Sequence, residues 1–176
     1  MGANGKVGQA AVQLAAQAGA TVIAVHRQAG PHIGFACSGV HTVNARDEDV
    51  AARIRELSNG RGADTVFNTV GSPYFEAANQ AMAKGATQIF IATVERPVPF
   101  DIFAFYRGMH TYVGIDTLAL DAAATAERFD ALHAGMEAGT LRPFAVNASG
   151  VYPLADVLPA YQRVLAGADE RIILHP

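Results

Sequence analysis

A single cysteine, Cys37, stands among 176 residues, which excludes an internal disulfide and any paired-cysteine metal motif. In its weakly patterned stretch it reads as a small buried filler rather than a nucleophile. Positive charge is scarce as well. Thirteen Lys and Arg against sixteen Asp and Glu leave a net charge of −3, so there is no basic field to draw nucleic acid. No uninterrupted apolar run approaches about 18 residues, and no membrane-spanning helix is expected. The start of the chain lacks the charged-then-apolar layout of a secretion signal, and the cytoplasm is the expected compartment. Internal repeats, low-complexity segments and flexible linkers are also missing.

Several catalytic signatures are absent. The run Gly5-Lys6-Val7 has no hydroxyl residue after the lysine to hold magnesium, which excludes a P-loop. No Gly-x-Ser-x-Gly elbow occurs. Tyr74, Tyr106, Tyr112, Tyr152 and Tyr161 are followed four residues later by Ala, His, Asp, Asp and Leu. That leaves no Tyr-x-x-x-Lys pair and speaks against the short-chain dehydrogenases. His26, His32, His41, His110, His133 and His175 are scattered, with no pair at the i, i+4 spacing of a helical zinc motif. Each reads as a surface or strand-end residue; no metal site is expected, and no catalytic residue can be named.

What the chain does have is apolar content, 51% against 16% charged residues, enough for one domain with a real core. Its pattern alternates strands and helices. A helix runs from about Val7, with Val7, Ala11, Leu14, Ala15 and Ala18 as its apolar face and Gln9, Gln13 and Gln17 opposite. Strands are expected at Thr21–Val25, His41–Asn44, Asp64–Val70, Gln88–Ala92 and Thr111–Ile115. Helices are expected around Val50–Leu57, from Ser72-Pro73 to a stop at Gly85, and from about Ala122 with Phe129, Leu132 and Met136 on one face. Arg96–Met109, with two prolines and four aromatics, reads as a short irregular or helical crossover. The end of the chain contributes Val151–Leu154, a helix near Leu158–Leu165 and a closing strand at Arg171–Leu174. Such alternation specifies an α/β fold, a doubly wound parallel sheet with helices on both faces.

The most informative segment is the opening, Gly2-Ala3-Asn4-Gly5-Lys6-Val7-Gly8, a glycine-rich turn running straight into a helix. Backbone N–H groups and the helix dipole at such a place can hold a pyrophosphate. Gly5 then allows close approach of the phosphate, and Gly8 lets the helix press on a strand. The alternative is a plain tight turn. A strand normally feeds this turn, yet only Met1 precedes it, so the chain is expected to be cut at or just after its first strand. The second strand ends at Val25-His26-Arg27, and no acid occurs between Gly8 and Asp47. A carboxylate at that strand end would accept the ribose 2′-OH of NAD(H). Arg27 instead suits a 2′-phosphate, which favours NADP(H); the other reading makes Arg27 a solvated surface residue.

Together with Ala63-Asp64-Thr65-Val66-Phe67-Asn68-Thr69-Val70-Gly71, Tyr112-Val113-Gly114 and Arg171-Ile172-Ile173-Leu174, the opening turn resembles the cofactor-binding half of the medium-chain dehydrogenase/reductase superfamily. The likeness is strongest to its NADPH:quinone oxidoreductase and zinc-type alcohol dehydrogenase-like branch. It implies a Rossmann-type domain over residues 1–143 lacking its first strand, with expected order 3-2-1-4-5-6. Residues 144–176 would be a tail that packs back toward a catalytic domain not contained in this sequence. It implies that Ala3, Gly5, Lys6 and Val7 hold the pyrophosphate and that His26 and Arg27 meet the adenosine ribose. Asn68, Thr69, Val70 and Gly71 form the loop after the fourth strand, with Asn68 where members often carry Asp. Thr93, Gly114 and Ile115 flank the nicotinamide. The implied chemistry is hydride transfer to a quinone, enone or other carbonyl by the intact enzyme, with NADP(H) but no zinc in this chain, and with this portion inactive alone. The alternative is a non-catalytic dinucleotide-binding module. Homodimers pairing along the sixth strand, Thr111–Ile115, are implied as well.

Overall fold

A computed structural model of the protein describes residues 1–28, 39–144, 146–168 and 170–176, so His32 and Cys37 lie outside the described residues. The chain divides into two units, Met1–Leu141 and Arg142–Pro176.

In the first unit, helix α1 (Lys6–Gln17) leads to strands β1 (Ile23–His26) and β2 (His41–Asn44), then to helix α2 (Val50–Leu57). Strand β3 (Ala63–Asn68), a short 3-10 turn with helix α3 (Phe75–Ala81), strand β4 (Met82–Phe90), helix α4 (Ile102–Gly108), strand β5 (Thr111–Gly114) and helix α5 (Ala122–Glu137) follow. All strand pairs run parallel: β1 pairs with β2, and β4 lies between β3 and β5. Local chemistry accounts for the helix starts. Asp49, Asp101 and Asp121 each accept a hydrogen bond from the backbone N–H three residues on, capping α2, α4 and α5.

The fold is the α/β parallel architecture expected, with the sheet divided at one place. β1 and β3 do not pair with each other. Between their carboxyl ends the first residues make a short bridge. The Met1 amino group donates to the Phe67 carbonyl at 2.8 Å and Ala3 N–H to the Val25 carbonyl at 3.0 Å. A cavity of about 570 Å³ runs behind this bridge, lined by β1, β3 and the α1 residues Gly8, Ala11, Val12 and Ala15. The core lies on the flanks: Val25, Val43, Val50, Ala51, Ile54 and Tyr74 pack on one side, and Val66, Ala78, Met82, Ala83 and Ala86 on the other.

Two local expectations are corrected. The face of α1 is rotated: Gly8, Val12 and Gln13 are buried, while Val7 and Leu14 are exposed. Gly8 sets that rotation, because a Cβ there would lie 2.2 Å from the Gly2 carbonyl oxygen. The helix from Ser72 stops at Ala81, and Gly85 sits inside β4 with a positive φ of 79°. Helix α5 leaves Phe129 69% and Met136 46% exposed and packs through Gly135, against Gln17 and Leu141.

The second unit holds a parallel pair, β6 (Val151–Pro153) with β7 (Ile173–His175), joined through helix α6 (Val157–Leu165). The Arg171 guanidinium stacks 4.7 Å from the centre of the Phe144 ring.

Candidate cofactor site

Parallel strands put their carboxyl ends on one edge, and ligands of open α/β sheets bind outside that edge. Here the edge is formed by the ends of β1 at His26, β3 at Asn68, β4 at Phe90 and β5 at Gly114. Two features occupy it.

The first is the turn from Gly2 to Gly8. Gly5 N–H donates to the Gly2 carbonyl at 3.1 Å, and Gly5 caps α1 through its backbone conformation alone. No side chain caps this helix and no acid lies in its first turn. Its opening N–H groups therefore have no side-chain cap, and the dipole at such a helix end favours negative charge. Gly5, Lys6 and Val7 are exposed around it, whereas Ala3 is buried. The turn is fastened on two sides. Asn4 Nδ2 donates to Gln28 Oε1 at 2.5 Å, next to Arg27, and Thr69 Oγ1 donates to the Met1 carbonyl at 3.0 Å. A Cβ on Gly2, whose φ is +75°, would lie 2.5 Å from Thr69 Oγ1, so turn and loop interlock.

At the end of β1, His26 and Arg27 part company. His26 is 3% exposed, and burial lowers its imidazole pKa, opposed by a hydrogen bond with the Gln28 backbone. Arg27 is exposed. Its charge reaches the phenol of Tyr74, opposing the rise that burial imposes on that group. Thus Arg27 is exposed at the end of β1, and His26 belongs to the interior.

The loop after β3 is organised by Asn68, which is fully buried. Its Oδ1 accepts from Val70 N–H at 3.2 Å and Gly71 N–H at 2.9 Å, and its Nδ2 donates to the Gly71 carbonyl at 3.0 Å. One amide side chain thereby closes the loop, a task that needs both a donor and an acceptor and that an ionised Asp would leave incomplete.

The second feature is a pocket of about 600 Å³, in which Gly71, Thr93, Gly114 and Ile115 come together. Expectations from sequence missed its apolar wall of Phe75, Phe90, Ala92 and Val98, together with Ser72, Arg96 and Asp116. Phe90 and Ala92 had a usable signal, since residues at a parallel strand's carboxyl end face the ligand edge. The aromatic wall is braced by Tyr112, whose ring lies 5.5 Å from Phe90 and 5.9 Å from Phe75 and whose hydroxyl donates to Asn79 Oδ1 at 2.7 Å. Among the described residues no three His, Cys, Asp or Glu come together as a metal site, and no helix is long and apolar enough to cross a membrane.

Comparison with known proteins agrees with the fold. Residues 7–133 match the family described as zinc-binding dehydrogenase. The structure of AibC superposes with a TM-score of 0.83 at 26% identity, over 99% of this chain and 47% of that one. A Pseudomonas syringae quinone oxidoreductase superposes with a TM-score of 0.78 at 25% identity, over 99% of this chain and 55% of its own. In sequence, the 2-dehydro-3-deoxy-L-galactonate 5-dehydrogenase of Pseudoalteromonas atlantica is 29% identical over 160 residues, 90% of this chain and 45% of that enzyme. The chain thus spans about half the length of these relatives, and less of several others.

Proposed function

We propose, from the premise that this chain belongs to the zinc-binding dehydrogenase family within the medium-chain dehydrogenase/reductase superfamily, that it is the NADP(H)-binding portion of an oxidoreductase acting on a quinone, enone or other carbonyl compound. The observation that carries this reading is the uncapped N-terminus of α1, tied through Ala3 to β1 and lying beside the exposed Arg27.

The residues present fit a phosphorylated dinucleotide. The α1 N-terminus suits the pyrophosphate, and a Cβ on Gly5 would meet only the Gly2 carbonyl oxygen, at 3.3 Å, so glycine leaves the approach open. Arg27 suits the 2′-phosphate by charge-assisted hydrogen bonds. His26 shapes that strand end from within. Thr69, Val70 and Gly71 form the intervening wall, and Thr93, Gly114 and Ile115 border the pocket for the nicotinamide. The chemistry such a cofactor supplies is hydride transfer; this chain's residues bind it, orient it and wall one side of the reacting space with Phe75, Phe90 and Ile115. Zinc does not fit the described residues, which bring no set of ligands together, and no step is assigned to it. On this reading the chain by itself holds the cofactor without turning over substrate.

The test is a fluorescence titration of NADPH and NADH. Wild type is expected to prefer NADPH. Losing a charge-assisted contact costs about 1.5–3 kcal/mol, so Arg27→Ala should weaken NADPH roughly ten- to a hundredfold or more while leaving NADH nearly unchanged. Equal weakening of both cofactors would remove the 2′-phosphate role, and failure of wild type to bind either would sink the reading as a whole.

The same reading extends to association. β5 is one of the two outer strands of its sheet, with Val113 37% exposed and Ile115, just beyond it, 44% exposed, and an apolar outer strand recruits a partner edge. Pairing with a second copy along Thr111–Ile115 would place Val113 near the two-fold axis. Val113→Lys should then yield monomers in light scattering, through like charges brought together at the axis; an unchanged dimer would place the interface elsewhere.

A further inference from the structure

Arg96 is anchored in the wall of the pocket at the carboxyl ends of β3, β4 and β5. Both backbone groups of the preceding residue are held: Glu95 N–H donates to Ser72 Oγ at 2.9 Å, and its carbonyl accepts from Thr93 Oγ1 at 2.9 Å. Two of the pocket's hydroxyls are thereby committed to fixing where Arg96 begins. The pocket's acid, Asp116, is committed too, with Oδ1 accepting from Leu118 N–H at 3.0 Å. Arg96 itself has no ion-pair or hydrogen-bond partner among the described residues, while five others of the chain's arginines, Arg53, Arg61, Arg128, Arg163 and Arg55, are engaged with carboxylates or carbonyls. The remaining wall is apolar: Phe75, Phe90, Ala92, Val98 and Ile115.

A solvent-exposed, always-charged guanidinium with no protein partner among the described residues, on the rim of an apolar pocket, is a recognition element for a planar anion, which it can grip with two parallel N–H···O bonds. We propose that this pocket takes a substrate carrying a carboxylate on a flat or apolar body, and that Arg96 is its specificity-determining residue. The carboxylate lies against Arg96 and the body against Phe75 and Phe90. Asp116, at the same pocket, opposes the anion and sets how strongly it is held. This rests on the reading of the pocket as the reacting end of the cofactor site, and it adds the substrate's charge, which that reading leaves open.

Cinnamate and cinnamamide make suitable probes, since they share a flat apolar body and differ in charge. Their binding to the full chain, with and without saturating NADP⁺, can be followed by calorimetry or ligand-observed NMR. Wild type should bind cinnamate about tenfold or more tightly than cinnamamide, the margin expected of a charge-assisted contact. Arg96→Gln should abolish that preference with cinnamamide affinity unchanged, and Asp116→Asn should widen it. NADPH affinity is measured on the same variants. Unaltered NADPH binding in Arg96→Gln assigns the effect to the substrate end, whereas a chain that binds cinnamate but no NADPH would overturn the cofactor reading and leave the anion site standing. Equal binding of the two probes, binding of neither, or a preference that survives Arg96→Gln overturns the proposal.

Discussion

Replacing Gly71 by alanine should destabilise the protein by about 2–6 kcal/mol, the sum of two separate penalties of about 1–3 kcal/mol each. One is backbone strain, since Gly71 has a φ of +84° and only glycine adopts that conformation without cost. The other is steric. An added Cβ would lie 2.3 Å from the Ala92 carbonyl oxygen and 2.4 Å from Thr93 Cα, both backbone atoms of the segment leaving β4. Neither can move alone, because Asn68 holds Gly71 by two hydrogen bonds and Thr93 is tied to Glu95. Gly85→Ala is the matched control: its φ is +79° but nothing lies within 4 Å of the added Cβ, so it carries the strain penalty alone. Unfolding free energies of the two variants from denaturant titration should differ by about 1–3 kcal/mol. Equal losses would mean that the contact between the two loops is looser than the geometry shows. Because those loops form one wall of the pocket, Gly71→Ala should also weaken cofactor binding, while Gly85→Ala should not.

A second large effect is expected at the divided sheet. Among the described residues β1 pairs only with β2 and β3 only with β4, and Met1 and Ala3 already hydrogen-bond to β3 and β1 respectively at their carboxyl ends. The space behind them, about 570 Å³, lies between strands that one further strand would separate by about 10 Å. An apolar five-residue strand placed ahead of Met1, rich in Val and Leu, should satisfy both bare edges and fill the cavity. Burying two or three aliphatic side chains at about 1.5–3 kcal/mol each, offset by the ordering of the added backbone, should raise stability by several kcal/mol. The denaturant slope should rise with it, since more surface is exposed on unfolding. A Gly/Ser pentapeptide in the same place supplies the control. If the Val/Leu extension melts no later than this control, β1 and β3 are adequately covered without it.

Much of this protein is decided by local sequence. The alternation of β-branched runs with amphipathic stretches determines the α/β class, because periods of 2 and 3.6 cannot be exchanged without exposing the apolar face. Asp49 and Asp121, each directly ahead of a helix, cap it through the adjacent backbone, and the Gly2–Gly8 run opens α1 with no side-chain cap. These interactions span a few residues, so the sequence carries them without reference to the rest of the chain. The tertiary structure alone decided the others. The rotation of α1 depends on Gly8 meeting the Gly2 carbonyl, and the exposure of Phe129 depends on α5 resting on Gly135; hydropathy registers which side chains are apolar but not how closely two backbones approach. The separation of buried His26 from exposed Arg27 depends on how β1 is covered. The pocket that gathers Gly71, Thr93, Arg96 and Ile115 exists because parallel strands far apart in sequence end on one edge, and such contacts arise only once the whole sheet has formed.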